Sequence, residues 1–583
     1  MKNDINLIEL LDQAVGLVKV KEFDKAMSVY EAILEKDSMN SQALSHLSII
    51  YLMKERYIEA IDMIHKSIKI LKPIIADYQN LAIAYIALRD YENAINAYEN
   101  IIKISPNNSE TYKLLGNAQI EVADNIGALD SYRKAYELEP DKFESIYNFG
   151  SILATSLLHE DAIRYLREAQ KIDPNHIECM NKIGRSLSAI GDTESAKVIY
   201  QKLMILAPDA VGPYTDYASC LFFEGKYDVA IKKVKEVLIK KPNNDVARTN
   251  LGLFYLFNKN FKDGWKYIDS RILLKNQIDV TKRYEMLNSF FELDVNKKEL
   301  KANERIIILG DAGIGDVILG LSMLKEFQKK FKNLSAEVDY RLVDLCKRSF
   351  PHIEFYAVRE NRHEMLIDYD LSLFDKGIYW GSLGKYLRQK ISDFPKKEIK
   401  FLTPDKEKVN EICNKLKKDK DIICGISWKS SANEGRHKTA LLEDLNPIFI
   451  LKKTRFLDLQ YEIKKEEGRT KLEKAKLIKE KNIKIEDYED IDKFKDIDGL
   501  TALVSKCDII VTCSNVTAHI AGALGKKTYL FVPFQRGKLW YWHDAEGTSI
   551  WYPSIKIFTA KSNGGWGEVF ERIAYTIKQD LKL

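Results

Sequence analysis

The sequence predicts an α-solenoid followed by a two-lobed α/β region, and three observations carry that reading. Small residues recur every 34 positions through the first half of the 583-residue chain. That register stops near residue 275, where short apolar strands begin to alternate with amphipathic helices. Three of those strands run straight into glycine-rich or polar turns that lead into helices or basic loops.

Composition bounds the remaining possibilities. A chain of this length exceeds one hydrophobic core, so about two to four domains are expected. Apolar residues make up 45% and charged residues 30%, an ordinary globular balance. The net charge of +5 gives no basic footprint for a nucleic acid. Seven scattered cysteines, an odd number with no CxxC pair, speak against a disulfide framework or a zinc site and for a reducing compartment. Acids interrupt the apolar N-terminus MKNDINLIELLDQAVGLVKV, which reads as an amphipathic helix and not a signal peptide. No apolar run reaches the roughly 18 residues of a membrane span, so a cytoplasmic protein is expected.

The repeats come first. Ala26, Ala60, Ala94, Ala128, Ala162, Ala196 and Ala230 form one series, with Gly264 in the next slot. Ser48, Ala82, Gly116, Gly150, Gly184, Ala218 and Gly252 form a second, and Pro106, Pro140, Pro174, Pro208 and Pro242 a third. Two helices of a hairpin approach closely only where side chains are small. Proline falls after the second helix, where it ends a unit without breaking a hydrogen bond inside it. These eight helix–turn–helix units, over residues 1–275, resemble the tetratricopeptide repeat (TPR). Stacked units of this kind form a superhelix with a concave surface, usually for a peptide segment; a spacer or assembly arm is the plainer alternative. Tyr98, Tyr132 and Tyr200 are expected in the core.

After a linker at 276–302, strands are predicted at Arg305–Leu309, Glu337–Leu342, Ile353–Val358, Ile422–Trp428, Phe456–Gln460, Asp508–Cys513 and Thr528–Val532. Helices at Leu319–Phe331 and Lys406–Lys418 separate several of them. The pattern divides into two Rossmann-like lobes, 303–405 and 406–583, facing a cleft.

Three segments carry candidate chemistry. Gly310 to Asp316 (GDAGIGD) follows a strand and opens a helix, an arrangement suited to an anion. Its spacing misses the dinucleotide fingerprint. Within it Gly313 and Gly315 permit close backbone approach, and Asp316 is suited either to general base or to complementing the helix dipole. Ser427, Trp428 and Lys429 end a second strand, ahead of Arg436, His437 and Lys438; such a loop could hold a diphosphate or be simply solvated. Ser514, Asn515 and Thr517 can cap the helix after DIIVT, whose free N–H groups suit phosphate. His519 in that helix is either a ligand contact or a buried structural histidine.

Together GDAGIGDVILGLSML, GISWKS…RHKTALLEDL, FLDLQY, DIDGLTALVSKCDIIVTCSNVTAHIAGALGK and WYWHDAEGTSIWYPSIKIF resemble bacterial TPR-linked glycosyltransferases. These are related to the lipopolysaccharide heptosyltransferases and, more distantly, to the O-GlcNAc transferases. GWKYIDSR at 264–271 matches the junction usual in them. The resemblance implies a GT-B fold, a nucleotide-sugar donor, no cofactor, and metal-independent inverting transfer to a hydroxyl. It aligns Asp316 with the catalytic aspartate, Lys438 with the lysine that neutralises donor phosphate, and Asn515 to His519 with the donor-binding helix start. Ser514 stands where the heptosyltransferases carry aspartate, which loosens any inference of heptose as the donor sugar. Protein is the favoured acceptor, held by the repeats, with glycan or lipid as alternatives. A non-catalytic scaffold with a degenerate transferase half is the competing class. The charge-dense stretch from Glu462 to Lys495 reads as a solvated helix plus loop.

Overall fold

A computed structural model describes residues 2–277, 287, 289–291, 300–310, 313–358, 369–416, 421–430, 435–461, 468–534, 536–545, 547–561 and 565–582. Asp311 and Ala312 of the glycine turn, most of the 276–302 linker, Lys417 and Lys418, and the start of the charge-dense stretch lie outside them, as does the side chain of Arg436. The described chain divides into two compact units, Met1–Pro213 and Tyr214–Leu583.

The N-terminal part is an α-solenoid of paired helices, for example Ser109–Glu121 with Asn125–Leu138 and Phe143–Thr155 with His159–Ile172. In three of the hairpins the small residue of the first helix receives a large side chain from the second. A Cβ on Gly116 would lie 3.0 Å from the Tyr132 ring, and one on Gly184 would lie 2.7 Å from Tyr200. Tyr98, Tyr132 and Tyr200 are core residues. Asn40, Asn108, Asp90, Asp124 and Asp192 cap helix starts through their side-chain oxygens. The backbone adds a fourth periodic series: Lys21, Glu55, Arg89, Ala123, Leu157, Gly191, Gly225 and Lys259 all take positive φ in the turn between paired helices. Only two of these positions carry the glycine that suits them.

The larger unit begins inside the repeats. Leu256, Phe261, Trp265 and Ile268 of the last hairpin share one hydrophobic core with both α/β lobes. The change in sequence period at 275 and the division at 213 therefore mark different things. The last repeats keep the helical pattern, but their apolar faces are covered by the sheets' helices and loops.

The first lobe holds a four-stranded parallel sheet of β1 (Arg305–Leu309), β2 (Asn333–Asp339), β3 (Glu354–Val358) and β4 (Lys376–Tyr379), ordered β3-β2-β1-β4. The second sheet contains β5 (Ile422–Ser427), β6 (Thr454–Asp458), β7 (Ile485–Glu486), β8 (Ile509–Cys513), β9 (Lys527–Val532), β10 (Asp544–Ala545), β11 (Thr548–Ser549) and β12 (Ile555–Thr559). Its order is β10-β11-β12-β9-β8-β5-β6-β7, parallel from β12 to β7. Read along the chain, those six strands follow the doubly wound order, with the reversal between β5 and β8. In the first lobe the reversal falls between β1 and β4. Ligands of open α/β sheets bind outside the strand ends at such reversals.

The expected strands are present with ends shifted by a few residues; β2 starts and stops earlier than expected because Tyr340–Leu342 turns into a short 3₁₀ helix. The charge-dense stretch is a helix, Arg469–Lys481, but it is not only solvated. Lys474 bonds the buried Asp458 at 2.6 Å and also Asp487, and Lys493 bonds Asp487 at 2.6 Å. Charges that read as surface therefore close the end of β6.

Candidate active site

At the reversal in the second lobe, three strand ends are tied together. Gln460, just after β6, accepts hydrogen bonds through Oε1 from Ser427 Oγ (3.2 Å), Trp428 N–H (3.0 Å) and Lys429 N–H (2.8 Å). Asn515, just after β8, donates to Ser427 Oγ at 2.7 Å and to the Lys429 carbonyl at 3.1 Å. Its Oδ1 caps the Val516–Ala523 helix by accepting from Ala518 N–H. Thr517, in the first turn of that helix, is fully buried. Ser514 accepts the Trp542 indole N–H at 2.8 Å. Ser427, Asn515, Thr517 and Ser514 thus hold the loops in place. The Lys429 ammonium is 2.6 Å from Glu473, which also accepts from Trp428 Nε1.

Lys438 occupies a different position. It ends the Gly435–Lys438 3₁₀ turn, is buried, and acts electrostatically on two groups at the start of the Val516–Ala523 helix. Burial pushes the Cys513 thiol up to about 12 and the Lys438 charge opposes that. Burial, reinforced by Lys438, pulls His519 down from 6.5 to about 3. His519 is therefore a neutral imidazole, the buried structural alternative of the sequence reading. Its Nδ1 lies 3.1 Å from the Tyr552 hydroxyl, and it sits among Tyr541, Trp542 and Tyr552. His437, one residue before Lys438, is half-buried beside Gly537.

The first lobe meets this cluster directly. The Ile314–Lys330 helix packs on the Val516–Ala523 helix. A Cβ on Gly315 would fall 2.9 Å from His519 Cδ2, so this glycine is required by close approach. Gly313 starts the same helix with negative φ, and a Cβ there would make ordinary contact with Asp316 Oδ2 at 3.9 Å. Asp316, exposed in the first helical turn, accepts a hydrogen bond from the Tyr541 hydroxyl. Burial first, and the Asp316 charge second, raise Tyr541 and Tyr552 well above the ordinary tyrosine range. The segment is anchored from below: the Gly310 N–H donates to the buried Glu337 at 2.7 Å, whose other oxygen accepts from Tyr369 at 2.6 Å. Asp316 also opens onto a cavity of about 370 Å³.

The structure thus brings together Gly313, Gly315, Asp316, Lys438, His519 and the helix start at Asn515. It leaves Lys429 paired elsewhere. Sequence reasoning did not single out Tyr541, Tyr552, Gln460 or Glu337. The aromatic run at 540–542 and a glutamate inside an apolar strand were the available signals.

Tetratricopeptide-repeat family models match residues 76–108 and 143–176. The chain is similar to protein FlbA of Caulobacter vibrioides, 26% identical over 417 residues, covering 68% of this chain and 66% of FlbA. Solved structures similar to part of the chain include YrrB, a TPR protein with an unusual peptide-binding site. It is 17% identical, covers 32% of this chain and 95% of its own, and has a TM-score of 0.29. The C-terminal part of a TPR protein from Cytophaga hutchinsonii is 17% identical, covers 41% and 99%, and has a TM-score of 0.35. The chain contains tetratricopeptide repeats, followed by a C-terminal α/β region with parallel sheets. No helix among its described residues is long and apolar enough to cross a membrane.

Proposed function

We propose that this protein is a GT-B-type glycosyltransferase that moves a sugar from a nucleotide donor to a hydroxyl of a protein acceptor. The observation that carries the reading is the meeting of Asp316 with the donor-side cluster of Lys438, His519 and the Val516–Ala523 helix start. In the step, the acceptor hydroxyl oxygen attacks the anomeric carbon and its proton passes to the Asp316 carboxylate. The bond from the anomeric carbon to the diphosphate oxygen breaks, and its electron pair leaves with the nucleoside diphosphate. Lys438 and the helix N-terminus would stabilise that growing negative charge. Neutral His519 adds no cation; packed against Gly315, it sets the distance between the base and the donor helix. Tyr541 aims the carboxylate.

Asp316→Asn keeps size and polarity and removes the proton acceptor, so transfer should fall by about 100-fold or more with donor affinity little changed. Near-normal transfer by the variant would refute the assignment of Asp316 as base. A binding-only scaffold is the second reading, favoured by the pairing of Ser427, Asn515 and Lys429 with structural partners. That reading expects donor binding without hydrolysis or transfer in the wild type.

A further inference from the structure

The cavity beside Asp316 is built largely from indoles. Trp265, Trp380, Trp540 and Trp551 line it together with Leu253 and Met323, and it lies wholly within the Tyr214–Leu583 unit. Two glycines make room for two of the rings. A Cβ on Gly384 would lie 2.0 Å from Trp265, and one on Gly320 would lie 2.6 Å from Trp380.

The N–H groups of two of these indoles are turned to other uses. Trp265 Nε1 donates to the Arg388 carbonyl and Trp380 Nε1 to the Glu337 carbonyl, both at 2.7 Å. Trp551 Nε1 is buried and has no hydrogen-bond partner among the described residues. Two of the four rings therefore have their N–H groups bonded away from the cavity. Arg271, also in the lining, bonds Asp269 at 3.0 Å, and Asp269 in turn accepts from Ser382 at 2.6 Å. A sugar ring placed here could pair with Asp316 and Arg271, but its remaining hydroxyls would face ring carbon and aliphatic side chains, and each unpaired one opposes binding. An apolar side chain needs no partners and gains from contact with ring carbon.

The cavity wall also includes a repeat helix. Leu253 belongs to Asp245–Phe257, the first helix of the last repeat, and is partly exposed. A polypeptide lying along that helix reaches the cavity, and Asp316 lines the same space.

Building on the transferase reading, we infer that this cavity is an acceptor subsite that takes a bulky apolar side chain of a polypeptide next to the hydroxyl residue that receives the sugar. Its volume of about 370 Å³ is at the low end for ligand sites, enough for one large side chain with its neighbour. The last repeat then acts in selectivity at the reacting residue and not only in distant recruitment.

The test uses the full chain, a panel of nucleotide sugars, and degenerate peptide libraries with a fixed Ser or Thr and randomised flanks. With the donor that the chain binds and hydrolyses, peptides carrying Leu, Phe, Tyr or Trp beside the hydroxyl should be preferred at least about ten-fold over Ala or Ser. Leu253→Trp should shift that preference towards smaller neighbours, and Leu253→Ala towards larger ones. Both changes are at a partly exposed position and should fold. Flank-independent transfer, or preference for oligosaccharide acceptors over every peptide, would overturn the subsite while leaving the transferase reading intact. If no nucleotide sugar is bound or hydrolysed, the transferase reading itself falls and takes the subsite with it.

Discussion

His519 offers a test in which the structure sets both sign and size. Its ring is 2% exposed, and burial with help from Lys438 pulls its pKa from 6.5 to about 3. The folded protein keeps the imidazole neutral at pH values where the unfolded chain protonates it. The stabilisation is fully present above pH 6.5 and is lost as pH falls from there towards 3, because only the unfolded state then gains the proton. Each pH unit inside that window costs about 1.4 kcal/mol, so lowering the pH from 7 to 5 should cost about 2 kcal/mol through this residue. His519→Asn keeps a polar side-chain atom near the Tyr552 hydroxyl that can pair with it in either direction, and removes the titration. All seven tryptophans lie beyond residue 213, so indole fluorescence during guanidinium unfolding reads the Tyr214–Leu583 unit by itself. The wild type should lose about 2 kcal/mol more than the variant between pH 7 and pH 5. Equal losses would mean that His519 is not held neutral by its surroundings.

Other perturbations test the remaining assignments. Lys438→Ala should weaken UDP or GDP binding by about 1.5–3 kcal/mol in calorimetry. Lys429→Ala should leave that affinity unchanged and lower stability by about 1 kcal/mol, because it leaves Glu473 without its cation. Deleting residues 1–213 should leave a folded unit that still binds the nucleotide, whereas deleting 1–277 should not fold, since it strips Phe261, Trp265 and Ile268 from the shared core; circular dichroism and thermal melts separate the two outcomes. Ala123→Gly relieves a positive φ of 59° that only glycine tolerates well. The relief, about 1–2 kcal/mol less the extra freedom of the unfolded glycine, should raise stability by about 0.5–1 kcal/mol in thermal melts of the repeat region.

Much of the architecture was legible in the sequence because it rests on local, repeated constraints. A helix pair needs a small residue facing a large one, so Gly116, Gly150 and Gly184 recur at one interval, each under a side chain from its partner helix. Strands buried on both faces read as apolar runs, which is why Arg305–Leu309 and Ile422–Ser427 were visible with little error. Short strands such as Lys376–Tyr379 and Thr548–Ser549 give too few residues for a pattern and were not. The turns holding Asp316, Lys438 and Asn515 were also legible, because each stands where a strand or basic loop precedes a helix or a polar turn.

Tertiary structure alone decided which of these residues face one another. Lys429 and Lys438 are alike in sequence, yet one is paired with Glu473, brought from 44 residues away, while the other is buried near the Val516–Ala523 helix. Gly315 reads as a phosphate-turn glycine, but its requirement comes from a histidine 204 positions later that packs against its Cα. The repeat pattern ends near 275, while the compact unit begins at Tyr214, because the last hairpin covers its apolar face with the lobes and not with another repeat. Periodicity records what a residue's near neighbours require; pairing across the chain depends on distances that only folding sets.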